Sequence, residues 1–341
     1  MSATALILAL LSTEPGWRLA VSETELKPGA LVQTAVVARR YYIEGKTKAD
    51  IARELGISRF RVARILGHAR DSGLVHVEIV LPAPVDVDLS ERLRAAFSLH
   101  YAIAVSTPDE PEESLRSRLG EVGASLLTEV VRENDILGIG WGRTISVMTA
   151  AVTTMARCIL VQLTGAAGTV DATHDSVETL RRVAAVSGGP YFPIYAPLVA
   201  DTVEAAAAIR RQPQVASALR LFDSLTKAVV AVGSWDPPNS QLYDATDDVA
   251  REALRRRGAR ADVCGTLWGS NGHRIAADVT ERFIGISADQ LCRIPEVIAI
   301  AGGRTKAAAI RAVLAAGFVT SIVTDADTAS ALLTHSEEHL A

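Results

Sequence analysis

The sequence predicts an α/β protein in two parts, an N-terminal winged helix-turn-helix followed by a larger, mostly parallel α/β domain. Three observations carry that expectation. Between Thr47 and Ala69 two short amphipathic runs meet at one glycine. Beyond residue 90, short apolar runs alternate with helical runs, the pattern of a sheet covered by helices. Charge divides along the same line. Residues 35–75 hold nine basic and four acidic residues, a net +5, which leaves −9 for the rest of a chain of −4. A basic module on an acidic body suits a polyanion binder, because phosphate neutralisation supplies much of the affinity. The chain is 341 residues long and 49% hydrophobic, enough for a large buried core.

Residues 1–30, ending in "ELKPGA", read as a loosely ordered extension. Their apolar run "ALILALL" lacks a cationic start and a small-residue cleavage site, and is too short to span a bilayer. A cytoplasmic protein with no membrane segment is expected.

The helix-turn-helix is assigned to residues 31–81. "LVQTAVVARRYYIEG" reads as its first helix, ending at Gly45. Thr47 is a good N-cap, with Asp50 three residues on as in a capping box. Ile51, Ala52 and Leu55 make one apolar face, Gly56 ends the helix, and Ile57 fills the turn. Ser58 caps the next helix, whose inner face is Val62, Ile65, Leu66 and Ala69. Gly73 suits a left-handed stop, and "LVHVEIV" alternates like a wing strand. In such modules the second helix of the pair enters the major groove, and arginine forks take guanine edges or phosphates. The candidate DNA-facing residues are therefore Thr47, Ser58, Arg59, Phe60, Arg61, Arg64 and His68. The plain alternative is a helical hairpin with a solvated basic face.

"PAPVDVDLS", residues 82–90, reads as a linker, and residues 91–341 as a domain for effector binding and oligomerisation. "LSERLRAAFSL" leads to the strand "YAIAV", a helix over Glu112–Val131 leads to "DILGIG", and a helix opening near Arg143 precedes "CILVQLTG". Later strands are expected at "AVVAVG", "ADVCGTLW", "VIAIAGG" and "FVTSIVTD". Ligands of such sheets sit at the carboxyl ends of strands, in loops that begin helices.

Two loops are equipped for an anion. In "GIGWGRT", Gly138, Gly140 and Gly142 follow a strand, and Arg143 and Thr144 open a helix whose N-terminus favours negative charge. The spacing matches neither a dinucleotide fingerprint nor a Walker loop. In "AGGRTKAAAI", Gly302 and Gly303 precede Arg304, Thr305 and Lys306. Lysine is scarce, five in all, and only Lys227 and Lys306 lie beyond the basic module, so Lys306 suggests a point-charge role. Either loop could instead be a simple structural turn.

The stretch "YYIEGKTKADIARELGISRFRVARILGHARDSGLVHVEIV" resembles the DNA-binding segment of the SorC family of sugar-responsive transcription regulators (SorC/DeoR type). The order of "GIGWGRT", "ADVCGTLWGSNGHRI", "ERFIGISADQLCRIPEVIAIAGGRTKAAAI" and "FVTSIVTDADTASALL" resembles the same family's C-terminal domain, over roughly residues 35–335 in all. Ala261 stands where that family commonly has glycine. The resemblance implies a sensor domain similar to sugar-phosphate isomerases and glucosamine-phosphate deaminases. It implies a phosphorylated sugar or related carbohydrate as effector, operator DNA as partner, and a homodimer or homotetramer. It places the two glycine loops at the phosphate end of the pocket, with Gln162, Tyr195 and Asp262 as candidates for the sugar end.

The rival expectation is a sugar-phosphate isomerase or deaminase with an accessory helical domain. Such chemistry needs a positioned acid–base pair. His174 with Asp175, and His273 with Asp262, are the notable combinations, and both read better as polar loops; Lys306 would need a desolvated amine to form a Schiff base. Cys158, Cys264 and Cys292 are far apart without zinc spacing, so no metal, cofactor or redox centre is expected.

Overall fold

A computed structural model of the chain describes residues 28–77, 84–107, 111–166 and 176–337. The chain divides into two compact units, Met1–Val80 and Leu81–Ala341.

The first unit holds α1 (Pro28–Tyr42), α2 (Lys48–Leu55) and α3 (Arg59–Asp71). The Thr47 hydroxyl accepts from the Asp50 backbone N–H at 3.2 Å and donates to the Asp50 carboxylate at 2.6 Å. A capping box would have the acidic side chain reach back to the backbone of the cap, as the longer glutamate does. Gly56 follows α2 with φ 63°, where a side chain would be strained. Ser58 Oγ then accepts from Arg61 N–H at 3.2 Å and starts α3. Val37 and Ala38 of α1, Ile51 and Ala52 of α2, and Val62, Leu66 and Ala69 of α3 form the small core, with Leu55, Ile57 and Ile65 at its margin. Ser58→Ala should cost about 1 kcal/mol, the usual loss for an N-cap. Chemical denaturation of the variant beside the wild type checks this.

Three boundaries differ from expectation. α1 begins at Pro28, inside the stretch assigned to the extension, because proline fits the first helical turn, where no N–H is needed; residues 1–27 lie outside the described residues. Leu74–Val77 form no strand. Val75 N–H instead bonds back to Ala69 O at 2.8 Å and closes the end of α3, while residues 78–80 of the expected wing lie outside the described residues. The stretch 82–90 is not all linker. Val85–Asp86 (β1) pairs with Val105 and Ala104, and Asp86 Oδ1 accepts from Leu89 N–H at 2.9 Å to cap α4 (Val87–Ala96).

The second unit continues with β2 (Tyr101–Val105), α5 (Glu112–Val130), β3 (Ile136–Ile139), α6 (Arg143–Ala151), β4 (Ile159–Gln162), α7 (Ser176–Ser187), β5 (Tyr191–Phe192) and β6 (Lys227–Val230). Then come β7 (Gly233–Trp235), β8 (Pro238–Asn239), β9 (Ala259–Val263), β10 (Thr266–Gly269) and β11 (Arg274–Ile275). β12 (Glu296–Ile300), α8 (Ala307–Ala315), β13 (Ser321–Asp325) and α9 (Ala326–Glu337) complete it. Short helices between these are named by residue below.

The main sheet runs β1-β2-β13-β12-β6-β3-β4-β5, parallel throughout except for the edge strand β1. Alternate residues feed two cores, as the period-two pleat requires. Leu137, Ile139, Val229, Ile298, Ile300 and Val323 pack with α5, α6 and α7 on one face. Val161, Ala228, Val230, Val297, Ala299 and Ile322 pack with α4, α8 and α9 on the other. Strand order reverses around β3. The chain leaves β3 toward β4 on one side, and β6 pairs on its other side, so the connections diverge there and open a crevice at the strands' carboxyl ends.

A second sheet, β11-β10-β9-β7-β8, is antiparallel and has its own core around Trp235, Leu254, Leu267 and Phe283. It corrects one expected strand. "ADVCGTLW" is a hairpin of β9 and β10, turned at Cys264 (φ 47°) and Gly265 (φ 80°), and it adds nothing to the parallel sheet. Two successive positive φ values are what a two-residue hairpin turn demands. "AVVAVG" likewise ends at Val230, and Gly233 already belongs to β7.

Candidate functional site

A cavity of about 520 Å³ opens at the carboxyl ends of the central strands. Trp141, Gly142, Arg143 and Thr144 follow β3, Thr164 follows β4, Ala231–Gly233 follow β6, and Gly302 and Lys306 follow β12. The second sheet closes it with Asn239, Asp262 and Cys264, the short helix Gln241–Asp244 and its cap Ser240 add Ser240, Gln241 and Asp244, and α5 adds Glu112 and Arg116.

Of the residues expected from sequence, Gly142, Arg143, Thr144, Asp262, Gly302 and Lys306 meet here. The others lie off the cavity wall. Gly138 sits in β3, where a Cβ would fall 2.6 Å from Leu163, and Gly140 N–H bonds Val229 O at 2.8 Å, so both serve strand packing. Gln162 is buried among hydrogen bonds: Nε2 donates to Thr164 O at 2.6 Å and to Ser176 Oγ at 2.9 Å, and Oε1 accepts from Ile194 N–H at 3.1 Å. It ties three loops rather than reaching a ligand. Tyr195 is 61% exposed on the outside. Gly303 N–H donates to Asp325 Oδ2 at 2.7 Å, which pins the loop, and Arg304 points to solvent in a short 3-10 turn. The Asp325 carboxylate also takes Thr328 N–H and Oγ1 at 2.8 and 2.7 Å, so one buried group fixes both the loop and the start of α9.

Lys306 is the cation the loop delivers. Its amine donates to Val232 O at 3.3 Å. Burial holds its pKa below the ordinary lysine value, repulsion from Arg143 adds to that, and Asp262 and Glu112 pull the other way. Arg143 opens α6, whose first-turn N–H groups have no partner within the helix, and its guanidinium donates to the Asn239 carboxamide. Asp262 Oδ1 accepts from Trp235 Nε1 at 3.2 Å. Burial holds its carboxyl above the usual carboxylate range, against the opposing hydrogen bonds of Ser240 and Trp235 and the charge of Lys306. Gly233 leaves it room, since a Cβ there would come within 2.2 Å of Oδ1. The Cys264 thiol is pushed up to about 12 by burial and by Asp262, which keeps it protonated.

Besides the paired Arg116 and Glu112, the cavity thus presents two cations, a helix N-terminus, the carboxyls of Asp262 and Asp244 and several neutral hydrogen-bonding groups. That set suits a small polar anion bearing hydroxyls. Among the described residues no group of three or more histidine, cysteine or acidic side chains is placed to hold a metal. His273 lies in an exposed turn against Asn271, and His174 and Asp175 fall outside the described residues.

In the first unit, Arg59, Phe60, Arg61, Arg64 and His68 are all exposed on α3, and Thr47 and Ser58 cap α2 and α3. Arg39, Arg40, Lys46 and Arg53 are held in ion pairs with Glu44, Glu54 and Asp50. Among the described residues Arg59, Arg61, Arg64 and Arg70 have no such pair, so the charge of α3 is uncommitted.

The family model "Sugar-bind", described as "Putative sugar-binding domain", matches residues 83–334. The transcriptional regulator YjhU of Escherichia coli K12 is 29% identical over 301 residues, covering 86% of this chain and 92% of the relative. The transcriptional regulator LsrR of Klebsiella pneumoniae is 27% identical over 323 residues, covering 92% and 94%. The full-length sorbitol operon regulator SorC from Klebsiella pneumoniae shares the fold, with TM-score 0.69 at 24% identity over 89% of this chain and 98% of that one. The chain belongs to the family defined by this putative sugar-binding domain. Its larger unit carries the family's sugar-binding domain, and the relatives that match it over most of both chains are transcriptional regulators, not enzymes. Among the described residues no helix is long and apolar enough to cross a membrane.

Sequence reasoning passed over Trp141, although it stands inside "GIGWGRT", and it missed Glu112, Arg116, Asn239, Ser240 and Gln241 altogether. "PNSQ" carries the one usable signal, a polar turn after a short strand. Glu112 and Arg116 offer none, being an i,i+4 charge pair of the kind found on many solvated helices.

Proposed function

We propose that a phosphorylated sugar or polyol binds in the cavity and sets the regulator's affinity for operator DNA in the cytoplasm. The phosphate lies against Lys306, Arg143 and the first turn of α6, and Asp262 and Thr144 take hydroxyls of the carbon chain. The observation that carries this is the meeting of Lys306 and Arg143 at one helix N-terminus, each held by a neutral partner rather than a carboxylate. α3 reads base edges, with Arg61 and Arg64 the principal contacts and Arg59, Phe60 and His68 beside them. The protein works as a homodimer or homotetramer, because one small module binds DNA weakly and two half-sites must be joined. The effector favours one arrangement of subunits and shifts operator affinity by its differential binding energy.

A thermal-shift screen of pentose, hexose and polyol phosphates beside their unphosphorylated forms tests the effector class. Selective stabilisation by a phosphate supports it. A shift with a free sugar and none with any phosphate would discard the phosphate assignment.

The pH dependence has a defined sign. Lys306 must be charged to hold the anion, and its pKa lies below the ordinary lysine value. Affinity should therefore rise as the phosphate becomes a dianion above about pH 6, and fall on the alkaline side before an ordinary lysine would titrate. Calorimetric titrations from acid to alkaline pH check both limbs; a flat alkaline limb up to the ordinary lysine range would remove Lys306 from the contact.

A further inference from the structure

We infer that the cavity admits one phosphate and rejects a second, so that the effector is a monophosphate of a sugar or polyol, and that Glu112 on α5 is the residue that sets this limit. The inference rests on the cavity being an anion site, and goes beyond it in naming the ligand's charge and a specificity residue.

Six basic or acidic side chains line the cavity: Arg116, Arg143 and Lys306 against Glu112, Asp244 and Asp262. Arg116 donates to Glu112 Oε1 at 2.8 Å, one turn apart on α5, so its charge is already met. Its side chain is 19% exposed while that of Glu112 is 66% exposed, which puts the arginine against the wall with the carboxylate over it. Arg143 holds only the neutral Asn239 amide, and Lys306 only a backbone carbonyl. Two cations thus lack a carboxylate ion pair among the described residues. A phosphate monoester carries about −1.5 to −2 at neutral pH and balances those two. A second phosphate would bring as much charge again. It would find no free cation, and would face the carboxylates of Glu112 and Asp244. Asp262 on the same wall adds to that repulsion in whatever measure it is charged. Like-charge exclusion of this kind is a common way to build specificity.

The test is calorimetry on the full chain with matched pentose, hexose and hexitol monophosphates and bisphosphates. The wild-type protein should prefer the monophosphate of the best-bound pair. Glu112→Gln keeps the shape and releases Arg116. It should shift the ratio of the two affinities toward the bisphosphate by about tenfold, the scale of one added charge-assisted contact. Adding Arg116→Met to that variant should restore the original preference, which separates a specific cation from a general change in the helix. Two results, with both ligands binding, would overturn the inference and leave the sensor assignment standing: a wild-type preference for the bisphosphate, or an unchanged ratio in Glu112→Gln. Binding of free sugars with no phosphate bound would overturn both.

Discussion

Lys306→Met should weaken the response to a sugar phosphate and, in the same protein, raise the melting temperature of the unliganded chain. The two effects have one cause. The amine is partly buried with a carbonyl as its hydrogen-bond partner, and its pKa is depressed by burial and by Arg143. A depressed lysine pKa means that the fold favours the neutral amine. Its contribution to stability is present above the ordinary lysine value and is lost as pH falls through the depressed one, so at neutral pH the charged amine destabilises the empty domain. Methionine has similar reach without the charge and should raise the melting temperature. The bound phosphate would lose a charge-assisted contact of about 1.5–3 kcal/mol, or roughly 10–150-fold in affinity. Thermal melts with and without ligand read both at once. A variant that is less stable and equally responsive would make Lys306 a structural residue.

Arg61→Ala should weaken operator binding by about 1–3 kcal/mol, the value of a bidentate base contact. Arg61 stands in the first turn of α3, where residues of a recognition helix reach base edges, and no ion pair holds it among the described residues. Arg53→Ala is the internal comparison: Arg53 already pairs with Asp50 at 3.0 Å, so its loss should weaken DNA binding far less. Binding assays on an operator selected from random duplexes would measure both, across a range of salt. If Arg61 touches only phosphate, its loss should weaken all sequences alike and reduce the salt slope by about one unit. An unchanged affinity would take it off the interface.

The helix-turn-helix was legible nearly to the residue because its signals are local. Thr47, Gly56 and Ser58 each satisfy a backbone requirement within a few positions, and the inward face of Val62, Leu66 and Ala69 follows from helical period alone. The parallel strands were legible as apolar runs between helices. The β9–β10 hairpin was not, because Cys264 adopts a left-handed conformation that cysteine does not advertise, and apolar residues flank the turn on both sides. The cavity was half legible. Loops that follow parallel strands and open helices carry glycine and charge at short spacing, so Gly142, Arg143, Gly302 and Lys306 could be found. Asn239 arrives from the antiparallel sheet, Ser240 from the helix cap after it and Glu112 from a helix far upstream, brought together only by the fold. Gln162 misled for a physical reason: a polar side chain at a strand end looks the same in sequence whether it meets a ligand or three loops of its own protein.

The most direct test of a sugar phosphate acting through this cavity on DNA is the affinity of the full chain for its operator, measured by fluorescence anisotropy with and without saturating effector. The effector found by thermal shift should change operator affinity by about fivefold or more, the lower range of allosteric coupling, and Lys306→Met should bind the same DNA but need roughly 10–150-fold more effector for that change. An effector that stabilises the protein while operator affinity stays the same would contradict it.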